Sequence, residues 1–357
     1  MTKSLILSFF TEPQQFIQKA SSAIWTDFLQ QARDHGLSAR FYYLLQRDNL
    51  LSQVPDKVRL HGLSAARYAE KQQHSLYFEL RQLEHIFAEA DHPCILLKGA
   101  AYRALALPVS HGRLFADIDI LVPADKLKQV RDKLFFSGFA EGSISEYDRH
   151  YYINWSHQNP PLRHFQRGTV IDLHHHIYPT ASAKRIDITP LFQQAQRLPG
   201  SAFSVPTITH MFLHAAVHLF YQEETHKLVK DIIDLNALLR EVEQQQLLAE
   251  LITQAEQMSV QSALINAVSV LALLFNNTAA QTVLQQSAIT PQRFVCKLLV
   301  SMLQGSALVS YGASALWFIR GHGLKMRWQI LLYHSLAKPL ANVRRWLQRQ
   351  HTDTTIR

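Results

Sequence analysis

Residues 94–122 read CILLKGAAYRALALPVSHGRLFADIDILV, and this stretch contains the pattern that decides the fold. A short apolar run ends at Lys98 and Gly99, and about two turns of helical sequence then lead to Pro108. The following segment, FADIDILV, alternates in the way a β-strand does. A strand, a glycine-containing turn, a helix and a second strand form an α/β unit, so a sheet is expected to begin near residue 93.

The sequence on either side of this unit is mostly helical. Apolar residues from Pro13 to His92 recur at helical spacing and predict four or five helices, with breaks at Gly36, Pro55 and Gly62. After the unit we predict a helix from Pro123 that Gly138 ends. Further strands are predicted over residues 147–155, 162–166 and 169–176, and helices over residues 210–221, 227–243, 247–275 and 291–350.

These elements predict an α+β fold with a small mixed β-sheet of four to six strands. The sheet would be flanked by N-terminal helices and by a larger C-terminal helical region with a basic tail. The predicted boundaries are residues 1–92, 93–190 and 191–357. No internal repeat or low-complexity tract interrupts this order.

Composition excludes several classes of protein. Hydrophobic residues make up 47% of the 357 residues and charged residues 18%, which excludes a disordered chain. Cys94 and Cys296 stand too far apart in sequence to form a CxxC metal motif, and two cysteines cannot build a disulfide framework. The longest apolar window, residues 263–275, is shorter than the roughly 20 residues that cross a bilayer. We therefore expect a cytoplasmic protein in a reducing compartment.

Two carboxylates in the second strand, Asp117 and Asp119, are separated by one residue. Side chains at positions i and i+2 of a strand share a face with Cβ atoms about 7 Å apart, so one divalent cation could bridge them. A third acid, Asp172, lies in TVIDLHHHI, a strand pattern that could run beside the first. Three acids on adjacent strands match the needs of two-metal phosphoryl transfer. Lys98, Gly99 and Arg113 add an anion-binding character to the same unit.

The run from Ile95 to Pro123, followed by VIDLHHHI, resembles the nucleotidyltransferase superfamily, and more closely the bacterial nucleotidyltransferase family called NTP_transf_5. The likeness extends to LHAAVHLFYQEETHKLVKDIIDLNALL at residues 213–239 and covers about residues 25–239. The resemblance implies that Asp117 and Asp119 ligate Mg²⁺ or Mn²⁺ and that Asp172 ligates the metal or activates an acceptor hydroxyl. It also implies that Lys98, Gly99 and Arg113 bind the triphosphate of an NTP, with ATP the expected nucleotide.

Nineteen histidines are present, and two groups of them have metal-site spacing. His210, His214 and His218 recur every four residues on one helical face, with Asp231 and Asp234 on the following helix. We interpret His214, His218 and Asp231 as the wall of a cleft for the acceptor. A metal-dependent phosphohydrolase that also uses His210 is the alternative. His174 shares a strand face with Asp172, where it would contact phosphate or metal or support a ligand.

The excess positive charge belongs to the C-terminal segment. Between Gln257 and Thr352 there are nine Lys or Arg and no Asp or Glu, although the whole chain has a net charge of +8. Two interpretations of this basic, Trp-bearing segment remain open. It is either a solvated helical region, or residues 293–349 make a peripheral contact with the inner face of an anionic membrane or with another polyanion. We expect the acceptor to be a small molecule or glycan with a hydroxyl group, and not a nucleic acid. A catalytically inactive nucleotide-binding assembly factor at the membrane is a further alternative.

Overall fold

A computed structural model gives the structure of the protein and describes residues 4–332. The helices up to the first strand are α1 (Leu5–Thr11), α2 (Pro13–Lys19), α3 (Ser22–Asp34), α4 (Ser38–Arg47) and α5 (Asp56–Phe87). Those that follow are α6 (Lys98–Ala104), α7 (Leu127–Phe136), α8 (Glu146–Asn154), α9 (Thr189–Gln193), α10 (Ile208–Tyr221), α11 (Leu228–Gln244), α12 (Leu248–Gln257), α13 (Gln261–Phe275), α14 (Thr278–Gln286), α15 (Arg293–Gln304) and α16 (Ala307–Lys325).

The strands are β1 (Ile95–Leu96), β2 (Ile118–Leu121), β3 (Phe139–Glu141), β4 (Leu162–His164), β5 (Val170–His174), β6 (Gln196–Arg197) and β7 (Ser204–Val205). They form one mixed sheet in the order β3-β4-β5-β2-β1-β7-β6. The pairs β2–β5 and β1–β7 are parallel, and the other neighbouring pairs are antiparallel. The predicted α+β class is therefore confirmed.

The sheet is larger than the four to six strands that we predicted. Strand β3, which has three residues, was not predicted. The other unpredicted strands, β6 and β7, contain two residues each, which is too short to leave an alternating pattern in the sequence. Both follow residue 190, so the sheet continues beyond the predicted end of the central region. The boundaries at residues 92/93 and 190/191 remain predictions, and the second of them lies inside α9.

The buried apolar residues of residues 4–332 form a single cluster that extends from α1 to α16. The centre of the sheet is part of it, since Ile120 and Leu121 on β2 and Leu173 on β5 are fully buried. Helix α10 packs against α11, α12 and α13 and has almost no exposed face, which explains its continuous apolar sequence. His214 and His218 on this helix therefore have mostly apolar neighbours along the chain.

The strand that we predicted over residues 147–155 is wrong, because this segment is helix α8. The side chain of Ser145 accepts a hydrogen bond from the backbone N–H of Asp148 and so caps the helix. Glu146 and Asp148 in the first turn further stabilise its N-terminus. Aromatic residues, which favour strands on average, are tolerated here because the cap decides the local structure.

Two further sequence-based expectations need correction. The helix predicted over residues 247–275 is two helices, α12 and α13, separated at Ser259, whose φ of +60° cannot continue a helix. Gly62, predicted as a break, lies inside α5, where its missing side chain lets Tyr42 of α4 approach closely. Within residues 4–332 no helix combines the length and hydrophobicity needed to cross a bilayer.

Candidate active site

The parallel pairing of β2 and β5 brings two of the three predicted carboxylates together. Asp119 on β2 is the register partner of Asp172 on β5, so two residues 53 positions apart in the chain lie on adjacent strands of the sheet. Two residues along the second strand, His174 is on the same face as Asp172. One ligand atom from each of Asp119, Asp172 and His174 lies within 4.8 Å of those of the others. The three side chains therefore form a candidate metal site.

Asp119 is the most tightly held member of this cluster. Its Oδ1 accepts a hydrogen bond from Nζ of Lys98 at 2.8 Å and another from Nε2 of His174 at 2.8 Å. Only 4% of Asp119 is exposed. Burial alone would raise the pKa of this carboxyl group, but Lys98 and His174 outweigh that effect and hold it well below its usual range. Asp119 is therefore a carboxylate at neutral pH.

Asp172 has a different environment. Its Oδ2 is 3.5 Å from Nε2 of Gln158, and its buried Oδ1 has no hydrogen-bond partner among residues 4–332. Burial, followed by the neighbouring charge of Asp119, raises the pKa of Asp172 to about 6. A buried oxygen without a donor costs free energy unless something else satisfies it. This oxygen is the observation that makes a cation at the cluster chemically reasonable.

Asp117 lies just before β2 and is half-buried. It lines the same cavity as Asp119, and its charge contributes to the raised pKa of Asp172. Its carboxylate is outside the set of atoms that Asp119, Asp172 and His174 bring within 4.8 Å. The structure thus places Asp117 in the lining of the cavity but outside the candidate metal site.

A cavity of about 130 Å³ opens beside these carboxylates. Its walls come from the start of α6, from the segment before β2 and from α10 and α11. The cationic and acidic side chains that line it are Lys98, Arg113, Lys227, Lys230, Asp117, Asp119, Asp231 and Asp234. Four basic side chains around a small cavity next to carboxylates suit a phosphorylated ligand that binds together with a metal.

Lys98 and Gly99 are placed by the turn from β1 into α6. Lys98 has a φ of +46°, an unfavourable backbone conformation for a residue with a side chain, and it directs its ammonium group to Asp119. A Cβ atom on Gly99 would lie 2.2 Å from Nη1 of Arg113. The absence of a side chain at position 99 therefore allows the Arg113 guanidinium to rest against the first turn of α6.

Arg113 is fixed by Asp234, a residue that anchors several cations. Nε of Arg113 donates to Oδ2 of Asp234 at 3.2 Å, and the guanidinium lies over the Tyr102 ring. Asp234 also accepts a hydrogen bond from buried Arg40 of α4, and Lys230 approaches it at 3.4 Å. Burial alone would raise the pKa of Asp234, but these cations lower it far below its usual value.

The histidines of α10 divide between two environments. His214 and His218 line the cavity, as we expected of an acceptor cleft, and Asp231 faces it from α11. Burial, followed by the charge of Lys98, lowers the pKa of His214 to about 3 and that of His218 well below its usual value. Both side chains are therefore neutral at physiological pH.

His210 points away from the cavity. Its Nδ1 lies 2.9 Å from Oγ1 of Thr207, and its Nε2 lies 2.9 Å from Oε1 of Gln254. With both ring nitrogens in hydrogen bonds, His210 has no nitrogen left for a metal. The described residues 4–332 contain no metal-ligand cluster built from His210, His214, His218 and Asp231.

Sequence reasoning missed two cationic side chains of the cavity, Lys227 and Lys230, and it named Asp234 beside Asp231 without assigning it to the site. The available signal was the helical spacing of Lys227, Lys230, Asp231 and Asp234, which places all four on one side of the α11 start. That signal does not reveal that this side of α11 faces the sheet. Only the packing of α11 against α10 shows it.

The sequence profile of a family described as uncharacterised nucleotidyltransferase matches residues 21–276. The chain belongs to this family. No curated protein and no solved structure matches it. The part that matches the nucleotidyltransferase family runs from α3 to the end of α13. It therefore includes the whole sheet and every residue of the candidate site, while α14, α15 and α16 lie outside it.

Membership of this nucleotidyltransferase family confirms the resemblance seen in the sequence. The site described above has the components that a nucleotidyl transfer needs: paired carboxylates, cationic side chains for phosphate groups and a polar cleft. Asp119 and Asp172 are the register pair at its centre. The family assignment supports nucleotide transfer as the general chemistry. It does not specify the nucleotide, the metal or the acceptor.

Proposed function

We propose that the protein is a Mg²⁺-dependent nucleotidyltransferase that transfers a nucleoside monophosphate from an NTP, with ATP the first candidate, to a hydroxyl group and releases pyrophosphate. The single observation that carries the proposal is the register pairing of Asp119 with Asp172 beside a cavity lined by Lys98, Arg113, Lys227 and Lys230. Carboxylates that can hold a divalent cation, next to cationic side chains that can bind phosphate groups, are the components that metal-assisted phosphoryl transfer uses.

The residues present fit a divalent cation. Asp119 and Asp172 offer carboxylate oxygens, the donors that Mg²⁺ prefers, and buried Oδ1 of Asp172 has no other partner among residues 4–332. His174 adds an imidazole, which Mn²⁺ accepts more readily than Mg²⁺ does. A bound cation would neutralise phosphate charge and lower the pKa of the acceptor hydroxyl.

The protein's own groups divide the remaining tasks. Arg113, Lys227 and Lys230 bind the triphosphate and balance the charge of the departing pyrophosphate, with Arg113 oriented by Asp234. Lys98 holds Asp119 in place from the other side. Asp172, whose pKa of about 6 is close to neutral pH, accepts the proton of the attacking hydroxyl or ligates the metal. Neutral His214 and His218 form the polar wall against which the acceptor lies.

The acceptor is proposed to be a small molecule or glycan. The cavity is small, and among residues 4–332 the basic side chains near it converge on one point instead of forming a track for a nucleic-acid backbone. The phosphohydrolase alternative would need His210 as a ligand, and the contacts of that residue with Thr207 and Gln254 disfavour it.

The decisive experiment incubates the protein with Mg²⁺, each α-labelled NTP and a metabolite extract, and follows labelled product and pyrophosphate. In the double variant Asp119→Asn/Asp172→Asn we expect product formation to fall by at least about 10³-fold, since both cation ligands are lost. The matched control is Asp27→Asn/Asp125→Asn, which removes the same charge from two exposed positions.

A second readout tests the metal directly. Titration with Mn²⁺, followed by electron paramagnetic resonance, should show a site in the wild type and in the control and none in Asp119→Asn/Asp172→Asn. Equal product from the wild type and that double variant would exclude the proposed chemistry. Nucleotide-dependent thermal stabilisation without product from any acceptor would favour an inactive nucleotide-binding protein instead.

A further inference from the structure

Helix α16 has an apolar surface on both of its sides. One side packs into the core through Ala313, Trp317 and Gly321, all of them buried. The opposite side presents Leu308, Tyr311 and Ile319, whose exposed fractions are 82%, 78% and 67%. A helix that is apolar all around its circumference is normally covered on every side. In residues 4–332 this outward side of α16 is uncovered.

The uncovered area extends beyond α16 to its neighbours. Helices α15 and α16 are joined only by Gly305 and Ser306 and pack against each other. So short a connection makes them a helical hairpin, which brings the start of α15 toward the later turns of α16. Phe294 at that start is 62% exposed, and Trp328 just after α16 is 73% exposed. We call this surface the outer face; its exposed apolar residues are Phe294, Leu308, Tyr311, Phe318, Ile319 and Trp328.

Cationic residues surround the outer face. Arg293 and Lys297 flank Phe294 on α15, Arg327 precedes Trp328, and all three cations are exposed; we call these cations and the exposed cation named next the border of the outer face. The fold adds exposed Arg185 from a distant part of the sequence, because Oγ of Ser182 donates to the carbonyl oxygen of Leu324 and so brings this segment next to the end of α16. Lys184 in the same segment is half-buried, with its Nζ 4.5 Å from the centroid of the Tyr221 ring. At the same end Glu223 is paired with Lys325, which leaves exposed Glu224 as one acidic charge against four exposed cations. The border is therefore strongly basic.

The sign of this charge limits what can cover the outer face. A second copy of the chain would bring identical cations together across an isologous interface, which is repulsive. The 25 residues that follow Leu332 carry Lys338, Arg344, Arg345, Arg349 and Arg357 against one acid, Asp353, so they have the same sign. An anionic surface has the complementary charge.

We propose that the outer face docks on an anionic lipid bilayer and anchors the protein at the membrane surface. Exposed apolar side chains with a tryptophan among them are typical of groups that insert at the headgroup level, and a basic border binds anionic lipids. The protein lies on the bilayer through this face, since no helix of residues 4–332 can span it. The inference is independent of the nucleotidyl-transfer chemistry.

Vesicle co-sedimentation of the full chain tests the proposal. We expect binding to vesicles of phosphatidylcholine with 30% phosphatidylglycerol, strong reduction by high salt, and little binding to phosphatidylcholine alone. Neutralising three border cations should weaken binding roughly a hundredfold, at about fivefold for each charge near the surface. The variant is Arg293→Gln/Lys297→Gln/Arg327→Gln. Its matched control removes three exposed cations from α5: Lys57→Gln/Arg67→Gln/Lys71→Gln.

The apolar contribution has its own pair of variants. Removing exposed apolar groups from the outer face should weaken vesicle binding at least about tenfold, whereas removing as many elsewhere should not. The variants are Leu308→Ser/Tyr311→Ser/Ile319→Ser and, as the control, Leu60→Ser/Phe78→Ser/Phe136→Ser.

Three results would overturn the proposal. The first is wild-type protein that stays in the supernatant with anionic vesicles at low salt. The second is an equal loss of binding in the border variant and its α5 control. The third is a wild-type dimer, measured by light scattering, that the outer-face serine variant converts to a monomer without any change in vesicle binding.

Discussion

Gly99 lies directly against the Arg113 guanidinium, and this contact shows how a single residue shapes the site. A Cβ at position 99 would come 2.2 Å from Nη1 of Arg113 and 3.0 Å from the Phe115 ring. Arg113 cannot simply turn away, because its Nε is bonded to buried Asp234. A glycine at this position therefore leaves room for the Arg113 guanidinium in the lining of the cavity.

We predict that Gly99→Ala displaces Arg113 and weakens NTP binding by about 10- to 100-fold, the range expected for one lost charge-assisted hydrogen bond. Isothermal titration with NTP and Mg²⁺ measures the effect. Gly142→Ala is the matched control, because a Cβ at position 142 meets nothing within 4 Å and should leave the affinity unchanged. Unaltered binding by Gly99→Ala would contradict the role given to Arg113.

At the residue level, the sequence revealed the chemically distinctive groups and not their partners. Asp119 and Asp172 stand out because acids inside apolar strands are unusual, and Lys98 stands out because it ends a strand at a glycine turn. That Lys98 and His174 both donate to Asp119 could not be read from the sequence, since the first contact depends on the antiparallel pairing of β1 with β2 and the second on the parallel register of β2 and β5. The roles predicted for Asp117 and Asp231 stay predictions.

At the level of elements, Asp234 connects three parts of the molecule. It belongs to α11, and it binds Arg40 of α4 and Arg113 of the segment before β2. All three side chains are largely buried, so water does not compensate their charges. Removing one partner would leave the others as unpaired buried charges. The N-terminal helices are thereby tied to the wall of the candidate active site.

We predict that Asp234→Asn lowers the free energy of unfolding by about 3–5 kcal/mol at pH 7, because it leaves buried cations without their carboxylate. The folded-state pKa of Asp234 is depressed, so its stabilisation is present above the unfolded value of about 4 and is lost as pH falls toward the folded value. The difference in the free energy of unfolding between wild type and variant, which we call the stability gap, should therefore become smaller below pH 4.

Urea unfolding between pH 3 and pH 7 measures that gap. Asp125→Asn, at an exposed position, serves as the control and should track the wild type throughout. A gap of constant size across this pH range would contradict the assignment of the depressed pKa to Asp234.

Elements with a strongly periodic pattern were predicted correctly except for the break at Ser259 between α12 and α13, and elements decided by a few contacts were not. Helices α10 and α11 and strands β2 and β5 follow from their hydrophobic patterns. Helix α8 was predicted as a strand because its aromatic residues outweighed the Ser145 cap in the pattern. Strands β6 and β7 were missed because two residues form a strand only when β1 is there to pair with.

The whole molecule shares one hydrophobic core across the three regions that the sequence suggested. Phe9, Phe28 and Phe41 from the N-terminal helices belong to the same cluster as the centre of the sheet and α13. Burying that much apolar surface is the main source of folding free energy. None of the three regions is therefore expected to fold without the others.

We predict that a fragment of residues 93–276 fails to form a native core. Removing α1–α5 exposes apolar residues of the sheet and of α13, and it removes Arg40 from Asp234. The fragment should retain helical far-UV circular dichroism, lose its near-UV signal and bind the dye ANS, unlike the full chain. A cooperative thermal transition of the fragment with a native near-UV spectrum would show that the central region is an independent domain.

The sequence by itself determined the fold class, the helical regions on both sides of the sheet, the acids Asp119 and Asp172 and the family of the protein. These features are local: hydrophobic period, turn residues and short motifs are set by neighbours within about ten positions. The tertiary structure decided which groups meet. It paired Asp119 with Asp172, brought His174 into their cluster, placed Asp234 behind Arg113 and left one side of α16 uncovered. Such contacts depend on strand register and helix packing between distant segments, which no local pattern specifies.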